Sequence, residues 1–154
     1  RGQGFHEVID EYSDTVEVVT QIGDFDQQVS LDAMMNILQA NDEVDAVFGH
    51  NDDNSLGAIK ALESFNKKAL VGEDGHVCVV GVDGTYEGLV AVDAGKMDAT
   101  IAQNPMTMGK EAVRLATEIL KGNEVEKDIY WTLETITKEN AMSENNWGIA
   151  VNNL

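Results

Sequence analysis

The chain has 154 residues, enough for one domain and a fraction of a second. Its 28 Asp and Glu against 10 Lys and Arg give a net charge of −18, which argues against nucleic acid or an anionic membrane surface as partner. The apolar share of 43% is ordinary for a globular protein, and no apolar run approaches the roughly 18 residues that a membrane-spanning helix needs.

Residues 1–13 predict a helix with Phe5, Val8, Ile9 and Tyr12 on one face. Val16–Ile22 (VEVVTQI) reads as a strand, and Gly23–Asp26 as a turn. A second helix is predicted over 27–40, with Leu31, Met34, Ile37 and Leu38 in helical spacing. Val44–Phe48 is a short strand that runs into the polar loop Gly49–Ser55. A helix from about Ser55 to Phe65 follows, then a Gly-, Lys- and Glu-rich loop over 66–76.

The next stretch organises the rest. Val77–Val82 (VCVVGV) is short and almost wholly apolar, as in strands buried on both faces of a parallel sheet. It ends abruptly in Asp83, and Gly84-Thr85 turn the chain into a helix over 86–94 that stops at Gly95. The lone cysteine, Cys78, sits inside this strand and reads as a small core residue. Ala99–Ala102 is a further strand ending at Gln103-Asn104-Pro105. Residues 106–121 carry the cleanest helical pattern, with Met108, Ala112, Leu115, Ala116 and Ile119, closed by Gly122. Ile129–Ile136 is a last strand, and the tail after Asn140 reads as polar and loose. Helices and strands alternate, so the class is α/β, a three-layer sandwich with a mostly parallel sheet.

In open α/β sheets, ligands bind outside the carboxyl ends of the strands. Strands here end before Asp24-Phe25-Asp26, at Asn51-Asp52, at Asp83 and at Gln103-Asn104. Arg1 opens a helix, which places it at the carboxyl edge of whatever strand precedes it. Arg1, Phe25, Asn51, Asp83 and Gln103 are therefore predicted to share one rim. A carboxylate accepts hydroxyl hydrogens, a guanidinium offers a fork of donors, and amides both donate and accept. A phenyl ring covers the C–H face of a sugar. The set suits a neutral polyhydroxylated ligand.

Each residue has a plainer reading. Asp52 reads better as the cap of the following helix, which leaves Asn51, one step earlier, for the ligand. Phe25 reads equally as a core residue, Gln103 as a satisfied hinge residue and Arg1 as a surface charge. Asp83 competes with Thr85 as a cap, and Thr85 stands closer to the helix. The chain lacks a nucleophile–base spacing and a Cys/His metal spacing, so no catalytic residue, metal or cofactor is predicted. A glycosidase pair of Asp52 and Asp83 is the weakest alternative. The acids of Asp52-Asp53-Asn54 and Glu73-Asp74 lack the EF-hand spacing for calcium.

Five motifs together carry a resemblance. They are Arg1–Phe5 (RGQGF), Asp24–Asp26 (DFD), Ala46–Asp52 (AVFGHND) followed by Leu56–Leu62 (LGAIKAL), Val79–Thr85 (VVGVDGT) and Asp98–Pro105 (DATIAQNP). In order and spacing they resemble the second half of a bacterial type I periplasmic sugar-binding protein, nearest the ribose-binding group, over about residues 1–140. The resemblance implies that Arg1, Phe25, Asn51, Asp83 and Gln103 contact a monosaccharide. It also implies that a hinge closes two lobes on the sugar and that a membrane permease of an ABC transporter receives it. The implied layout is a second lobe over 1–103 lacking its first strand, a hinge crossing and helix over 104–131 that belong with an absent first lobe, and a return segment and polar tail over 132–154. Helix 106–121 would then lack its partner, and residues 1–154 alone would be poorly stable. The implied location is periplasmic or extracellular. A LacI-type regulator's effector domain and a sugar-sensing receptor domain share the fold and are the alternatives.

Overall fold

The computed structural model describes residues 1–130 and 132–153. Its sheet has four strands, β1 (Ala46–Phe48), β2 (Cys78–Asp83), β3 (Ala99–Ala102) and β4 (Glu134–Ile136), in that spatial order. β1, β2 and β3 are parallel, with Ala46 opposite Cys78 and Val80 opposite Ala99, while β4 runs antiparallel to β3 with Thr100 opposite Ile136. The helices are α1 (Gly2–Ile9, continued by a 3-10 turn), α2 (Gln27–Ala40), α3 (Asp52–Ser64), α4 (Tyr86–Asp93), α5 (Pro105–Leu120) and α6 (Trp147–Asn152).

Four helices start on a short polar side chain that accepts their first free amides, which is why the breaks fall where they do. Asp26 accepts from Gln28 and Val29, Asn51 from Asn54, Thr85 from Gly88, and Asn104 from Met106 and Thr107. Pro105 takes the first position of α5, where its missing N–H costs nothing. The core joins Met34 and Leu38 of α2, Ala61 and Leu62 of α3, Val79 of β2, Leu89 and Val92 of α4, and Ile136 of β4.

Several expectations need correction. Residues 16–22 form no strand, and Val16 to Ile22 stay largely exposed. A strand needs a ladder partner for its backbone groups, and among the described residues β1 pairs only with β2. The predicted last strand contracts to Glu134–Ile136; Tyr130 is exposed and Trp131 lies outside the described residues. α3 begins at Asp52, three residues before the predicted Ser55. The apolar face of α1 is unburied, with Val8 and Tyr12 exposed; the helix is held instead by Phe5, stacked on Phe48 at 4.9 Å, and by Arg1. The tail is packed, not loose: Ala141, Asn146 and Ile149 are buried. No residue of α5 is buried, and Met108 and Ile119 of its apolar pattern are exposed.

At the opposite end of the sheet from the strands' carboxyl ends, His76 ties the 66–76 loop to the strands. Its Nδ1 lies 2.9 Å from the Ala69 carbonyl and its Nε2 2.9 Å from Asp98 Oδ2, which also accepts the Val79 amide. Both ring nitrogens face acceptors, so only the imidazolium satisfies both. Burial pulls its pKa down, but the Ala69 carbonyl, the Asp98 carboxylate and the charge of Glu73 outweigh burial and raise it above the ordinary 6.5. Cys78 is pushed up by burial and then by Asp98, which keeps it a thiol. A histidine with a raised folded pKa contributes stability in full below its unfolded value and loses it as pH rises through the folded one. Urea unfolding should therefore show stability falling as pH rises above the ordinary 6.5. His76→Ala should flatten that slope and cost about 1–2 kcal/mol at pH 6, from lost charge-assisted bonds.

Candidate functional site

The carboxyl ends of β1, β2 and β3 point the same way, because the strands are parallel. Their trailing residues therefore meet at one edge: His50 and Asn51 after β1, Asp83 at the end of β2, Gln103 after β3. Arg1, at the start of α1, forks across all three. Its Nη1 donates to the His50 carbonyl, and its Nη2 donates to Asp83 Oδ1 at 2.6 Å and to Gln103 Oε1 at 2.7 Å. The Arg1 and Asp83 side chains are 29% and 24% exposed, so this ion pair is half-sheltered yet reachable.

Four of the five predicted residues are thus brought together. Asn51 stands beside His50 and is buried. It, and not Asp52, caps α3, through Oδ1; capping and ligand contact were assigned to neighbouring residues, and the structure gives Asn51 the cap. One cap bond leaves its amide nitrogen unused. Among the described residues Asp83 Oδ2, Asn51 Nδ2 and Gln103 Nε2 have no hydrogen-bond partner. The rim thus offers one strong acceptor and two amide donors around a paired, locally neutral Arg–Asp couple. That combination is chemically suited to a neutral group with several hydroxyls.

Phe25 differs from the other four. It sits with Asp24 in a left-handed turn (φ 54° and 48°) and is 64% exposed, so it is no core residue. Ser30 Oγ donates to both Gly23 O and Asn54 Oδ1, which ties this turn to the first turn of α3. Among the described residues no aromatic stacking or hydrogen bond joins Phe25 to Arg1, Asn51, Asp83 or Gln103. The rim is open, and a hollow of about 140 Å³ lies beside it, between the end of β3, the start of α5 and the tail.

Behind the rim lies a network that sequence reasoning missed. Asp52 is fully buried. Its Oδ2 accepts the Thr85 amide at 2.7 Å and the Thr85 hydroxyl at 3.0 Å, and its Oδ1 accepts the Thr100 hydroxyl at 2.6 Å. Thr100 Oγ1 in turn accepts the Gly84 amide. Burial pushes the Asp52 carboxyl above its usual range, against the pull of these hydrogen bonds and with a push from the Asp83 charge. Gly81 and Gly88 make the room: a Cβ on either would come within 2.5 Å and 2.4 Å of its oxygens. The glycine inside strand β2 was the one available signal. Both oxygens of Asp52 are spent inside the protein, so an Asp52–Asp83 glycosidase pair is overturned.

Asp83 itself has φ of 127°, a region that non-glycine residues rarely occupy. Its carbonyl accepts the Gln103 amide at 2.9 Å and the Trp147 indole N–H at 2.7 Å. The tail residue Trp147 has no place in the predicted site, because the Ser143–Asn146 stretch before it is polar.

The periplasmic binding protein domain family matches residues 1–124. The ribose import binding proteins of Haemophilus influenzae and Bacillus subtilis are 41% and 39% identical to this chain, each over 90% of it and over 44% and 42% of their own lengths. The chain thus spans less than half the length of these curated relatives. Among solved structures, the arabinose ABC transporter binding protein of Shewanella sp. ANA-3, bound to L-arabinofuranose, superposes with a TM-score of 0.82 at 28% identity, over 99% of this chain and 50% of that one. Fold, rim and matches agree: this chain belongs to the periplasmic binding protein family.

Proposed function

We propose that the rim formed by Arg1, Asn51, Asp83 and Gln103 binds one face of a monosaccharide, a ribose-like pentose or related small sugar, and that Phe25 covers the sugar's C–H face. The observation that carries this reading is the Arg1 fork. It joins three strand ends and leaves Asp83 Oδ2, Asn51 Nδ2 and Gln103 Nε2 turned to no protein group among the described residues. The charge-assisted bond to Asp83 Oδ2 contributes about 1.5–3 kcal/mol and the two neutral amide bonds about 0.5–1.5 kcal/mol each, while micromolar affinity needs about 8 kcal/mol net. The rim thus supplies part of the affinity, and a second surface that excludes water supplies the rest.

The open rim and the uncovered face of α5 support a two-lobed protein. In that reading 1–103 is the second lobe, 104–131 carries the hinge crossing and α5 to the first lobe, and 132–154 returns. The sugar touches both lobes only when they close, which is what favours closure. The closed form then delivers the sugar to the membrane permease of an ABC transporter, in the periplasm or outside the cell, without chemical change. The ribose import binding proteins among its relatives support this assignment.

The test is titration calorimetry of the two-lobed protein with D-ribose, D-allose, L-arabinose and myo-inositol, followed by chromatography of the recovered sugar. Saturable binding of at least one, recovered unaltered, is expected. Absence of binding across the panel, or turnover of any member, overturns the proposal.

A further inference from the structure

We infer that Trp147 is a positioning residue for the sugar site: it fixes the backbone of Asp83 so that the carboxylate faces the ligand. The inference rests on the sugar-binding reading for its consequence and on geometry for its cause. The Asp83 backbone lies at φ 127°, where a residue with a Cβ does not rest without external restraint. Two bonds converge on its carbonyl, from the Gln103 amide at 2.9 Å and from Trp147 Nε1 at 2.7 Å. The first comes from the neighbouring strand end, which carries a site residue. The second comes from α6, an element remote in sequence whose only polar link to the rim among the described residues is this indole.

The approach of α6 is close enough to need a glycine. A Cβ on Gly148 would lie 2.6 Å from the Gly84 carbonyl oxygen and 2.8 Å from the Tyr86 nitrogen. The helix therefore lies directly on the Asp83–Tyr86 backbone. Its seat is fixed from behind: Ile149 is buried, and Asn146 Nδ2 donates to the Asn140 and Ala141 carbonyls at 2.8 and 2.7 Å. Between α6 and the sheet the Asp83–Gly84–Thr85 turn is held from both sides, by Trp147 on one and by Asp52 and Thr100 on the other. Among the described residues the Trp147 indole bonds only to the Asp83 carbonyl. It acts through Asp83.

The experiment uses Trp147→Phe, which keeps the ring and removes the donor, in the two-lobed protein. In the sugar-free state, the Gly84 and Gln103 amides should exchange with solvent faster than in wild type, while the Val79 amide in the body of β2 is unchanged. With D-ribose as probe, affinity should fall about fivefold to tenfold, the worth of one hydrogen bond. In an Asp83→Ala background the same substitution should cost nothing further. Unchanged exchange at Gly84 and Gln103 overturns the positioning role. So does an equal affinity loss in both backgrounds, since a general packing defect is additive. If wild type binds none of the sugars, the sugar reading falls, and the exchange data still decide whether Trp147 fixes Asp83. If the Phe variant does not fold, the wild-type indole proton decides: fast exchange overturns the bond, and slow exchange supports it.

Discussion

Asp83→Gly should weaken sugar binding by about 100-fold or more and leave the protein as stable as before, or more so. The two halves of that result have separate causes. The carboxylate is the rim's only anionic acceptor: Oδ1 holds Arg1 and Oδ2 faces outward. Removing it deletes the charge-assisted bond to a sugar hydroxyl and releases the Arg1 fork, which also aligns Gln103. Together these cost about 3 kcal/mol or more of binding, so a loss of about 100-fold or greater. The backbone at φ 127° is strained for Asp and easy for Gly. Relief of that strain offsets the lost ion pair, which is partly exposed and contributes little to folding. Asp83→Ala shares the binding loss without the relief, and should be less stable than Asp83→Gly by about 1 kcal/mol. Arg1→Ala should weaken binding to a similar degree. Calorimetry with D-ribose and urea unfolding of the three variants separate these effects. Near-normal affinity in both Asp83→Ala and Arg1→Ala would place the sugar site elsewhere.

What the sequence made legible follows from range. Caps are local, so Thr85 could be read as a helix start, and Gly95 and Gly122, both at positive φ, as stops. Strand direction is almost local, and it sufficed to bring Arg1, Asn51, Asp83 and Gln103 to one edge. The misses all depend on a partner far along the chain. Residues 16–22 have strand composition, but a strand exists only with a neighbour, and no described segment supplies one. The tail looks loose because Ser143 to Asn146 are polar; what holds it is the burial of Ala141 and Ile149 in the core and an indole bond to Asp83, 64 residues away. The cap passes from Asp52 to Asn51 because both side chains can cap a helix. Only the positions of Thr85 and Thr100, 33 and 48 residues on, make Asp52 the buried one. Phe25 was open between core and ligand, and its exposure excludes the core.

That shift of the cap makes Asp52 the position where substitution should damage folding most. Asp52→Ala leaves the Thr85 amide, the Thr85 hydroxyl and the Thr100 hydroxyl without their acceptor, in a site closed to water. Each buried donor left unmade costs about 1–3 kcal/mol, and relaxation recovers part of the sum, so a loss of about 3–5 kcal/mol is expected. Asp52→Asn should be far milder. Its carbonyl can accept from Thr85, and its NH2 can donate to Thr100 Oγ1 once that hydroxyl turns. The pH response distinguishes the two further. A carboxyl raised above 3.8 in the folded state favours folding below that value and loses the contribution as pH rises through the folded pKa, so the ionised form is a burden at neutral pH. The Asn variant sheds that burden and should narrow its deficit against wild type as pH increases through the acid range. Urea unfolding of wild type, Asp52→Ala and Asp52→Asn from pH 4 to pH 7 measures this. A cost below about 1 kcal/mol for Asp52→Ala would mean that water enters the site and that the carboxylate is not the pin between α3, α4 and β3.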